Sequence, residues 1–202
     1  MKAFRVKYFS LFLGLGFIAP LGFWVFAEDQ PIKVFRTEER LVHPSGVFSI
    51  VPPKGYRQTL LSQDGVQFIN LVDKSFMSIS FTDVATNLSD EELFSRFSDT
   101  AFRKGFISNL QTASSALHTK VTSTIMRKVA DIEAIEFVSE GVSEKGVVQR
   151  TDFIIFYKGK KEFVIILTAD KELFAMDMPF FEEALATFKF GSDSGLLPTS
   201  AQ

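Results

Sequence analysis

Two neighbouring segments, Phe153-Ile154-Ile155-Phe156-Tyr157 and Phe163-Val164-Ile165-Ile166-Leu167, constrain the fold more than anything else in this 202-residue chain. Both are apolar throughout and rich in β-branched and aromatic residues, and Lys158-Gly159-Lys160 between them is turn chemistry. A strand with one face in water alternates apolar and polar residues, whereas a strand apolar on both faces needs cover on both. The pair therefore reads as the centre of a sheet with helices or a partner packed on each side.

The flanking sequence extends that sheet. Val121 to Val129, Ile132 to Ser139, Val147 to Tyr157 and Glu162 to Ala169 read as an antiparallel meander, with turns at Ala130-Asp131, Gly141 to Gly146 and Lys158 to Lys160. Upstream, Val47 to Val51 is strand-like and stops at Pro52-Pro53-Lys54-Gly55, and Val66 to Val72 follows the turn Asp64-Gly65. In Phe76 to Thr82, Met77, Ile79 and Phe81 face one way and Ser78, Ser80 and Thr82 the other, which predicts one wet face.

Two helices are predicted. Ser89-Asp90-Glu91-Glu92 is a capping-box pattern, Leu93, Phe94, Phe97, Ala101 and Phe102 recur at helical spacing, and Gly105 is placed to end the element. In the second helix Pro179 suits a first turn, and Phe181, Ala184, Leu185 and Phe188 form the apolar stripe. Ser108 to Thr119 is polar and reads as a long loop. The fold expected is α+β: a central antiparallel sheet of about six strands, covered by helices on both faces as an α/β/α sandwich.

The N-terminus reads as an address. Lys2, Arg5 and Lys7 precede an apolar run from Tyr8 to Phe26, and Val25-Phe26-Ala27 presents residues of the size a signal peptidase reads before Glu28. A cleavable signal peptide over 1–27 is expected; the alternative is a retained anchor, since the run is nearly long enough to span a bilayer. The expected divisions are 1–27 signal peptide, 28–42 tether or weak first strand, 43–190 α/β domain, and 191–202 frayed tail.

Losing Lys2, Arg5 and Lys7 leaves 19 basic residues against 24 acidic ones, a net charge of −5. That gives no footprint for nucleic acid. The chain has no cysteine, so thiol nucleophiles, thiolate metal sites and a lipidated cysteine are excluded.

Phe48-Ser49-Ile50-Val51-Pro52-Pro53-Lys54-Gly55-Tyr56, the hairpin through Phe156-Tyr157-Lys158-Gly159, and the ending Phe181 to Phe190 together resemble the PsbP-like fold family. That family holds photosystem-associated lumenal proteins, exported bacterial proteins and a eukaryotic nuclear-transport factor. The resemblance spans roughly residues 43–190 and implies an antiparallel sheet between helices, as well as an accessory or binding role without a single activity. Photosystem members have been linked with metal and anion retention, but no matching ligand cluster occurs here, so no ligand residue is carried over.

Catalytic chemistry has little to stand on. His43 precedes a proline and His118 lies in the polar stretch; both read as surface or turn histidines, with no serine-hydrolase elbow or zinc-peptidase helix beside them. Glu38-Glu39, Asp90 to Glu92 and Glu182-Glu183 are carboxylate pairs whose members point apart or serve a cap. Glu136, Glu140, Asp152 and Glu162 are the carboxylates on which a hydrolase would have to rely. Lys158-Gly159-Lys160-Lys161 lacks the frame of a phosphate loop. Asn87-Leu88-Ser89 is a glycosylation sequon whose serine already serves as a cap.

Phe102 and Phe106 depart from the main helical stripe and are read as partly exposed, a possible interaction surface. The function expected is an exported, non-catalytic accessory protein of a bacterial envelope, periplasmic or anchored to the inner membrane, binding a protein partner. It needs no cofactor or metal, and meets membrane only if the leader is retained. A periplasmic carrier of a small ligand or metal ion is the alternative, and a carboxylate hydrolase the remote one.

Overall fold

The structure, a computed structural model, describes residues 11–13, 16–18, 39–113, 120–143 and 146–191. The signal-peptide reading, with its Ala27–Glu28 junction, falls outside these residues except for strands β1 (Leu11–Leu13) and β2 (Gly16–Ile18), which pair antiparallel. His118 and the tail beyond Gly191 also lie outside them.

The order continues with β3 (Leu41–Val42), β4 (Phe48–Ile50), β5 (Tyr56–Ser62), β6 (Gly65–Asn70), β7 (Phe76–Asp83), α1 (Asp90–Ser95), a 3-10 turn (Arg96–Ser98) and α2 (Thr100–Ala113). Then come β8 (Lys120–Val129), β9 (Ile132–Val142), β10 (Val148–Lys158), β11 (Lys161–Asp170), α3 (Lys171–Ala186) and β12 (Lys189–Phe190). The fold is α+β. Seven strands, not about six, form the main antiparallel sheet in the order β5-β6-β7-β11-β10-β9-β8, and β12-β4-β3 make a second, three-stranded one.

The doubly apolar pair is central. β10 and β11 run in register from Gln149↔Asp170 to Lys158↔Lys161, closed by Gly159 and Lys160 at φ 60° and 59°. Two positive-φ residues make this a type I′ turn, the geometry that suits the twist of a hairpin. Alternate residues of β10 enter different apolar clusters: Phe153, Ile155 and Tyr157 pack with Leu93, Phe97 and Phe106, whereas Ile154 and Phe156 pack with Phe174, Phe181 and Leu185. Since successive side chains of a strand point to opposite faces, both faces are dry here. Phenylalanine does much of the filling; Phe156 stacks on Phe163 at 5.0 Å and meets Phe188 and Phe190 edge-on.

Several local expectations need correction. The first predicted helix does not end at Gly105. It ends at Ser95, and after the 3-10 turn α2 starts at Thr100, carries Gly105 in its interior and runs to Ala113, so residues 108–113 of the stretch expected as a loop are helical, while 114–119 lie outside the described residues. The Asp99 carboxylate restarts it by accepting from the Phe102 amide at 2.8 Å. The capping box itself is formed, with Ser89 and Glu92 exchanging bonds of 3.1 and 2.7 Å.

Pro179 is not in the first turn of α3 but in its middle. The buried stripe begins earlier, at Phe174 and Asp177, and its packing outweighs the one backbone bond that a proline removes. β5 and β12 have no counterpart among the strands expected from the sequence. The Ser78 side of β7 is half-covered rather than wet, Ser78 itself being buried.

Consecutive residues of α3 reach opposite edges of the main sheet. Phe181 meets the Tyr56 ring of β5 at 5.6 Å, and Glu182 accepts from Arg127 of β8 at 2.8 and 3.1 Å. The sheet is therefore curled around α3, an extension of its natural twist. Edge strand β8 carries Lys120, Arg127, Lys128 and a register shift between Val121 and Ser123, features that discourage unwanted strand addition.

Candidate functional site

Two polar assemblies flank α3, and an open groove lies at its start. In the first, Arg127 donates to Glu136 at 2.7 Å while holding Glu182 with two bonds, and Arg150 grips Asp152 with two bonds of 2.9 Å. The Arg150 guanidinium also lies 4.4 Å over the Phe174 ring. Asp152 is fully buried and Glu136 almost so. Burial, with Asp152 beside it, raises the Glu136 pKa against the opposing pull of Arg127. Each buried carboxylate is matched to an arginine, so removing either arginine would strand a buried charge, and the group leaves no free base–nucleophile pair.

The second assembly holds the β6–β7 loop. Ser75 donates its hydroxyl proton to Asp73 at 2.6 Å, so the Tyr56 hydroxyl donates to Ser75 across 2.5 Å. Asn70 donates to the other Asp73 oxygen at 2.9 Å, and Lys74 reaches the Leu71 carbonyl at 2.8 Å. Asp177 of α3 is buried beside them, and its Oδ2 has no hydrogen-bond partner among the described residues. Burial and the Asp73 charge raise the Asp177 pKa.

The groove, about 550 Å³, lies between the β9–β10 turn and the first turn of α3, lined by Val147, Val148, Asp170, Lys171, Glu172 and Leu173. Val147 and Val148 in its lining are 40 % and 41 % exposed, an aliphatic rim in water. Lys171 is tied to Glu140 at 2.9 Å. A concave floor with aliphatic walls and charges at the margin suits an apolar side chain arriving from a partner.

The residues singled out from sequence are dispersed. Phe106 is only 1 % exposed and stacks on Phe137 at 5.1 Å, so it belongs to the core and not to a surface. Phe102 is partly buried against Phe97 and Phe106. His43 does occupy a turn, its carbonyl accepting from Gly46, but it is not a surface residue. Its ring stacks on Phe48, with Nδ1 at 2.7 Å from Ser45 Oγ and Nε2 at 3.0 Å from the Ser62 carbonyl, and burial lowers its pKa.

The hydrolase carboxylates do not converge either. Glu140 is paired with Lys171, and Glu162 accepts from Tyr157 at 2.9 Å on the face of the sheet away from Glu136 and Asp152. The Lys158–Lys160 turn has its amides occupied: Gly159 and Lys160 both donate to Asp90, at 2.7 and 3.1 Å. An anion-binding turn exists there, and its anion is the helix-capping segment of the same chain. Among the described residues, no group of three or more His, Asp or Glu is placed to hold a metal ion.

The Asp177 assembly escaped the sequence reading. Its signal was there, an acid on the apolar stripe between Phe174 and Phe181, hidden by starting the helix at Pro179.

No protein-family model matches the sequence, and no curated protein matches it significantly. Solved structures do match. Cyanobacterial PsbP from Synechocystis is 12% identical with a TM-score of 0.57, covering 75% of this chain and 91% of that one. A protein from Bacteroides thetaiotaomicron is 14% identical with a TM-score of 0.54, covering 77% of this chain; this chain spans 49% of its length. The fold is PsbP-like, as the sequence resemblance implied. At such identities the likeness concerns fold alone.

Proposed function

We propose that the chain is an exported, non-catalytic accessory protein of a bacterial envelope, folded as an α/β/α sandwich and acting by docking a protein partner in the groove beside α3. The observation that carries this reading is the exposed aliphatic rim of Val147 and Val148 on an open groove of about 550 Å³. The apolar leader before Glu28 supports export, with the mature chain in the periplasm or held at the inner membrane. The PsbP-like fold is compatible with an accessory role. Among the described residues no helix is long and apolar enough to cross a membrane.

An affinity-tagged chain crosslinked in its native envelope tests the proposal. A stoichiometric protein partner that is lost in Val148→Asp and Leu173→Asp chains of unchanged circular dichroism supports it; equal recovery with these variants contradicts it. The groove volume also falls within the range of small-molecule sites, which favours ligand carriage as the second reading. Excess mass on the purified chain, without a protein partner, would move the assignment there.

A further inference from the structure

The β6–β7 loop presents a feature that the groove does not use. Val72 at its tip is 92 % exposed and Leu71 beside it 39 %. The tip does not sway freely on its stem. Asp73 is held by Asn70 and Ser75, Asn70 accepts from the Val72 amide at 3.0 Å, and Asn70 and Ser75 close the loop with a backbone bond of 2.8 Å. An ordered loop that keeps two aliphatic side chains in water loses hydrophobic stabilisation unless something covers them.

Charge at the tip says what does. Lys74 stands on the Leu71 carbonyl, and Lys54 is exposed in the neighbouring Pro53–Tyr56 turn, adjacent because Tyr56 pairs with Asn70. The acid among them, Asp73, is half-buried and has both oxygens engaged. An apolar prong flanked by lysines matches a negatively charged bilayer surface, with the side chains in the acyl boundary and the ammonium groups among headgroups.

We propose that the Leu71–Val72 loop is a lipid-docking prong that seats this end of the domain on an anionic membrane surface. The inference goes beyond the protein-docking groove and does not depend on it.

The chain has no cysteine, which makes a site-specific probe simple. The full chain is reconstituted with phosphatidylglycerol-containing vesicles, carrying an environment-sensitive fluorophore at Val72→Cys or, as control, at Gln63→Cys in the turn at the far end of the same hairpin. The expected result is a blue shift, with quenching by brominated acyl chains, at position 72 only. Adding Lys54→Glu or Lys74→Glu should cut the immersed fraction of the position-72 probe by at least about fivefold each. A probe at position 72 that remains aqueous on vesicles carrying the chain overturns the proposal. Equal immersion at position 63 overturns it as well, and so does a concentration-dependent shift without vesicles, which would assign the prong to a second copy.

Discussion

Replacing Arg127 by alanine tests whether the charges beneath α3 are a matched set. The change removes two interactions of unequal weight. The Glu182 carboxylate is 46 % exposed, so losing that pair costs at most about 1 kcal/mol. Glu136 is only 4 % exposed and stays behind with Asp152 as its neighbour, and stranding a buried charge of this kind costs about 3–5 kcal/mol.

The loss must depend on pH. Without Arg127 the Glu136 pKa rises further above its unfolded value, so the folded state binds the extra proton and the variant loses stability as pH rises through that folded pKa. Urea unfolding should therefore show Arg127→Ala destabilised by about 3–5 kcal/mol at pH 8 and clearly less at pH 5. Adding Glu136→Gln should recover most of the loss at pH 8. A pH-independent deficit, or a double variant no more stable than the single one, would refute the reasoning.

Phe106→Ala should cost about 3–5 kcal/mol in urea unfolding, because the side chain is enclosed by Phe97, Phe102 and Phe137. An exposed docking residue would change stability little. Ser89→Ala removes the hydroxyl that caps α1 and should cost about 1 kcal/mol by the same measurement. Burial depresses the His43 pKa, so its share of stability is present above the unfolded value near 6.5 and is lost as pH falls through the folded one. His43→Gln should flatten that acid limb of the stability–pH curve. Asp177 runs the other way: its raised pKa means stability is lost as pH rises, and Asp177→Asn should raise the urea midpoint at pH 8 while leaving it unchanged near pH 4.

Local chemistry was readable wherever one segment held the whole signal. The apolar continuity of Phe153–Tyr157 and Phe163–Leu167 announced strands dry on both faces, and Ser89-Asp90-Glu91-Glu92 announced its capping box. What failed depended on distant segments. β5 (Tyr56–Ser62) lacks clean alternation and owes its place to pairing with β6, while β12 needs β4 to be a strand at all. Phe106 falls off the stripe drawn through Leu93 and Phe97 because the break at Asp99 resets the helical phase. The groove joins a turn near residue 146 to a helix start at 171, and no spacing rule connects them.

Site-specific photo-crosslinking in the native envelope tests the docking proposal most directly, with a benzophenone side chain at Val147 on the groove rim or at Gln63 at the far end of the β5–β6 hairpin. The account predicts one protein adduct in near-stoichiometric yield from position 147, little or none from position 63, and an intact mass for a chain beginning at Glu28. Equal adducts from both positions, or none from 147 while the chain carries a bound small molecule, would contradict it.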